Sequence, residues 1–160
     1  MSALAAYTLI HVAISLVGIV SGFGFAYALI TSRPQPAWTA TFFASTVLTS
    51  LTGFGFPNLH LTPGVIIGLI SLGLFALAAY ARYREHAQGG WRVAYVLSSL
   101  VAFYLNFLVL VVQSYQKIPA LHAIAQTEVV AQLVVLVAFL IAGYFAVRRY
   151  HATPSLTSAA

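Results

Sequence analysis

The chain has 160 residues, 61% hydrophobic and 6% charged, with a formal net charge of +5. A soluble domain carries about 25% charged residues, and a water-soluble fold of this size cannot cover so much apolar surface. Lipid suits this composition, so the positive charge reads as a topology and head-group signal rather than as affinity for nucleic acid.

There is no cysteine, which removes disulfides, thiolate metal sites and Cys nucleophiles. Glu85 and Glu128 are the only acidic residues, too few and too far apart to promise paired-carboxylate chemistry.

A membrane span needs roughly 20 apolar residues. Met1 to Tyr7 carries no Lys or Arg, whereas a secretory signal has a cationic start, so the first apolar stretch reads as a retained span over residues 4–30. It ends at Thr31-Ser32-Arg33-Pro34-Gln35-Pro36, where two prolines predict a non-helical turn. The second stretch, 38–56, is the least apolar. It carries seven Ser and Thr residues and closes at Gly53-Phe54-Gly55-Phe56-Pro57. The third, 62–83, places Pro63 in a first helical turn and leads into a basic loop with Gly89-Gly90. The fourth covers 91–115, and Pro119 then predicts a short surface helix. The fifth, 128–147, stops at Arg148-Arg149, and residues 151–160 read as a disordered tail.

Five crossings place Arg33, Arg82, Arg84, Arg92, Arg148 and Arg149 on one side and Lys117 alone on the other. Cytoplasmic loops hold the excess of positive charge. The expected fold is therefore all-α: an integral membrane bundle of five transmembrane helices, N-terminus outside and C-terminus cytoplasmic, in one domain over residues 1–150. Were the second stretch only to dip into the bilayer, the Arg33 turn and the basic loop would fall on opposite faces. Trp38 and Trp91 at span ends suit interfacial anchoring. Continuous rather than alternating apolar runs exclude a β-barrel.

Polar side chains inside lipid turn to the bundle interior or to a cavity. His11, Ser15, Gly18 and Gly22 share one face of the first span, and Gly18/Gly22 and Gly64/Gly68 form G-x-x-x-G pairs that let helices approach closely. Ser99, Asn106 and Gln113 recur every seven residues on the fourth span, as an interhelical hydrogen-bonding stripe or as a polar pathway or ligand seat. Thr46, Ser50 and Gly53 are placed to line a wet groove, although Ser and Thr also bond to the preceding turn. Lys117 is within reach of pairing with Glu128, which shares a helix face with Gln132. Glu128 reads first as a snorkelling interfacial carboxylate and, if partly buried, as the protonatable candidate of the outer cavity and a member of the same polar pathway or ligand seat. His11, His60 and His122 fall at one depth on the outer side. Neutral imidazole ligates metals and haem, so this trio permits a cofactor site, whereas His86 and His151 belong to the opposite face.

The stretches from Leu9 to Gly22, Thr49 to Pro57 and Lys117 to Ala125 resemble those of a group of small, uncharacterised multi-pass bacterial membrane proteins. The likeness covers most of the chain. It implies a bacterial inner membrane and brings no activity or catalytic residues. In that group the Lys-x-Pro-Ala-Leu stretch runs into a longer acidic loop, whereas here Gln126-Thr127-Glu128 enters the last span directly.

Three functions suit these features. The first is a non-enzymatic integral component or accessory subunit with a membrane-protein partner or a second copy of itself, favoured because no nucleophile, base and orienter are set together. The second is a haem- or metal-binding electron carrier using the outer histidines. The third is a small oligomeric transporter or channel built on the stripe of the fourth span.

Overall fold

A computed structural model describes residues 2–57 and 62–151. Among them every regular element is a helix. Helix α1 spans Ala3–Thr31, α2 Pro36–Gly53, α3 Pro63–Tyr83, α4 Gly89–Lys117 and α6 Glu128–Arg149, while α5 is a single turn at Pro119–His122 followed by a 3-10 turn at Ala125–Thr127.

The helix ends follow local chemistry. Ser2 accepts a hydrogen bond from the Ala5 amide and Thr62 one from the Val65 amide, capping α1 and α3. Pro36 was expected to hold the turn out of helical form. Instead it is the first residue of α2, because a residue at that position needs no amide hydrogen and the proline ring already fixes φ. At its other end α2 stops three residues before the expected Phe56. Gly53 and Gly55 lower the helical preference there, and Pro57 disfavours helix in the residue before it.

The five long helices alternate in direction. At one end, the Ser32 hydroxyl and the His151 backbone bond to each other, and Arg92 Nη1 donates to the carbonyls of Val147 and Tyr150 at 2.8 and 2.7 Å. These contacts gather the end of α1, the start of α4 and the end of α6, so all six arginines lie at this end. At the other end, the Tyr7 hydroxyl donates to the Thr52 carbonyl at 2.6 Å, and the hydroxyls of Tyr115 and Thr127 bond at 2.9 Å. Lys117 and Glu128 belong to this lysine end.

Helices α1 to α4 pack as a ring, with α4 closing against α1, and α6 lies outside along their seam. The arginine half of the ring is filled by aromatic side chains. Phe25 and Phe42 stack at 4.9 Å, Phe42 also meets Phe75 and Phe103, and Phe43 lies between Phe75 and Tyr95. Phe25, Phe42, Phe103 and Tyr95 are at most 1% exposed. Glycine makes this possible: a Cβ on Gly22 would stand 2.4 Å from the Phe103 ring.

Outside, the helices are apolar. Val130, Leu133, Val137, Leu140 and Ile141 of α6 are all more than half exposed. Helices α1, α3, α4 and the α6 segment are long and apolar enough to cross a membrane. With its threonines and serines, α2 is not among them.

Candidate functional site

The hydroxyls of α2 decide where the ring is hollow. Ser45 and Ser50 donate to the carbonyls of the preceding turn, which hides them cheaply. Thr46 Oγ1 and Thr49 Oγ1 do not, and they are buried without a hydrogen-bond partner among the described residues. Thr46, Thr49, Ser50 and Gly53, at spacings of three, one and three, fall on the inner face of α2 and line a cleft of about 620 Å³ at the lysine end of the ring. A volume of that size suits a small-molecule site.

The opposite walls bring polar groups from three other helices. Asn106 and Gln113 of α4 line the cleft, as do His11 and Ser15 of α1 and Ser71 of α3. Asn106 is 8% exposed, and its Nδ2 has no partner among the described residues. Gly18 lets it sit deep: a Cβ there would lie 3.1 Å from Thr46 Oγ1 and 3.2 Å from Asn106 Nδ2. Thr46 Oγ1 of α2 and Asn106 Nδ2 of α4 thus approach the same point of α1, at Gly18.

His11 is held at the mouth. Its Nδ1 lies 2.8 Å from Thr52 Oγ1, and the Thr52 hydroxyl is 2.8 Å from the Leu48 carbonyl. The hydroxyl carries one proton for these contacts, so Nδ1 donates in one tautomer of His11 and accepts in the other. Nε2 has no hydrogen-bond partner among the described residues. Phe56 packs edge-on against the ring at 5.2 Å. The Ser15 hydroxyl donates to the His11 carbonyl rather than to its ring, so the pair is not a nucleophile and base.

No protein-family model, curated protein or solved structure matches the chain. The site is therefore read from its own geometry.

Of the residues singled out from the sequence, His11, Asn106 and Gln113 line the cleft. Ser99 is fully buried off the cleft wall, with Oγ unpartnered among the described residues. His122 is exposed on α5 and is not on the wall, because Pro119 starts a separate turn that carries it away from the end of α4. His60 lies outside the described residues, and among those described no three His, Cys, Asp or Glu side chains gather as a metal site. Glu128 is off the wall too. It accepts from Gln132 Nε2 at 2.8 Å along α6, and among the described residues it forms no ion pair with Lys117. Lys117 itself lines the cleft mouth.

Sequence reasoning missed Ser71 and the partner of His11. Thr52 gave no local signal, since its role arises only where α1 and α2 meet.

Proposed function

We propose that this chain is a five-span protein of a bacterial inner membrane, with its N-terminus outside and its C-terminus in the cytoplasm. It acts without catalysis, as a component of a membrane assembly that receives a small polar or amphipathic molecule in its outward cleft. Several features support a crossing by α2. It is one unbroken helix of 18 residues, about 27 Å at roughly 1.5 Å per residue. It runs beside α1 from the level of Gly24, where Trp38 packs, to that of Tyr7, where Thr52 lies. Its inner hydroxyls turn into the ring, away from lipid. The orientation rests on the six arginines at one end, and the bacterial inner membrane on the resemblance described above.

What carries the ligand reading is the set of polar residues from four helices that line one cleft at the lysine end, three of which, Thr46, Thr49 and Asn106, also hold a buried polar atom without a hydrogen-bond partner among the described residues. Such groups cost free energy until something supplies their hydrogen bonds. Among the described residues, only His11 and Lys117 of the lining are ionisable, which suits binding better than proton-transfer chemistry. The test is native mass spectrometry of protein extracted in mild detergent, with extraction and identification of small molecules. Wild-type protein should carry a stoichiometric guest that Asn106→Leu and Thr46→Val lose. A wild type free of any guest in both detergent and native lipid discs would overturn the reading.

One observation favours a second reading, a haem or metal carrier: Thr52 orients the His11 ring through Nδ1 and Nε2 has no partner among the described residues, the arrangement of a ligating imidazole held by a second hydrogen bond. A visible absorbance band or bound metal, lost in His11→Ala, would select it.

A further inference from the structure

We infer that the arginine end holds a second, separate site, a basin that binds a phosphate oxyanion. The basin has a volume of about 280 Å³ and shares no lining residue with the cleft. Its centre is Arg82, on the last turn of α3. Arg82 is half-buried, and one of its nitrogens donates to the Tyr95 hydroxyl at 3.0 Å while the guanidinium lies over the Tyr95 ring at 5.4 Å. A guanidinium has five N–H donors, so most remain unused. Tyr95 is fully buried and accepts from Arg82, which leaves its own hydroxyl proton free to donate.

Arg33, His86 and His151 complete the rim, and among the described residues no carboxylate lines the basin. Tyr150, which also lines it, does not replace the missing negative charge. Burial pushes its phenol above the usual range, with Arg82 pulling the other way, so it stays a neutral hydrogen-bond donor at physiological pH. A partly desolvated cation ringed by donors is an incomplete arrangement. A phosphate completes it, because guanidinium forks match its oxygens.

The backbone is shaped around the same spot. His86 and Ala87 both adopt left-handed φ, at 52° and 50°, a conformation disfavoured for side-chain-bearing residues. Ala87 is 2% exposed and its amide donates to the Ala81 carbonyl at 2.7 Å, so the loop is pinned with His86 on the rim. The Ser32–His151 clasp holds the chain after α6 on the other side.

At the end of a membrane bundle, the nearest source of phosphate is an anionic lipid head group of the adjoining leaflet; a soluble phosphate is the other. The experiment measures binding of short-chain phosphatidylglycerol, short-chain phosphatidylcholine and inorganic phosphate to the full-length protein in a neutral detergent. Phosphatidylglycerol should bind at least about tenfold tighter than phosphatidylcholine, be displaced by inorganic phosphate at high concentration, and bind about tenfold more weakly to Arg82→Gln, with partial recovery in Arg82→Lys. Inorganic phosphate binding as tightly as the lipid would support the site and assign it to a soluble ligand. Should Arg82→Gln fail to fold, Arg33→Gln, altered at an exposed rim position, carries the test with a smaller loss. Indifference to lipid charge, or folded variants at both arginines that bind like wild type, would overturn the inference.

Discussion

His11 Nδ1 of α1 and Thr52 Oγ1 of α2 are hydrogen-bonded at 2.8 Å, and this bond fastens together the two helices that form one side of the cleft mouth. Hydrogen bonds between membrane helices contribute about 0.6 kcal/mol on average. A double-mutant cycle of His11→Phe and Thr52→Val, followed by unfolding in detergent, should return a coupling of about that size. Additive single effects would show that the two side chains do not meet.

Asn106 gives a prediction of opposite sign. Its Nδ2 is buried without a partner among the described residues, so Asn106→Leu, which keeps similar bulk, should stabilise the empty protein by about 1 kcal/mol while abolishing retention of a guest. Thermal unfolding and native mass spectrometry on the same preparations measure both. Destabilisation of the guest-free variant would mean that the carboxamide is already satisfied within the fold.

Glycines at equivalent-looking helical positions should differ sharply. The Phe103 ring occupies the place of a Cβ on Gly22, whereas nothing lies within 4 Å of one on Gly73. Gly22→Ala should cost about 1–3 kcal/mol through overpacking, and Gly73→Ala little. Unfolding of both variants in one detergent checks this, and similar melting temperatures would contradict the packing described.

Topology is read from tags. Reporters fused before Ser2 and after the chain end should label from opposite sides of intact membranes. Labelling from the same side would leave an even number of crossings and remove α2 or another helix from the span count.

Most of the long helices were legible because each is a continuous apolar run, and the start of α3 and the end of α6 because Pro63 and Arg148-Arg149 mark them, whereas α2 begins at Pro36 and stops at Gly53, away from both expected ends. His11, Asn106 and Gln113 were legible as polar groups that lipid would not tolerate facing outward. The pairings were not. Which hydroxyls of α2 bond backward and which stay free depends on rotamers that the packed ring selects. The histidine trio rested on equal depth alone, and depth says nothing about azimuth: α5 turns His122 away from the ring. Arg82 looked like a topology marker, and only the fold places it against Tyr95.

The aromatic stack between Phe25 and Phe103 lies between the cleft at the lysine end and the basin at the arginine end, which share no lining residue. Were the hollows to join, the bilayer around this protein would be short-circuited, because water threading from one to the other conducts protons. In the membrane reading proposed above, Phe42 and Phe75, packed at 5.5 Å, would keep that path shut.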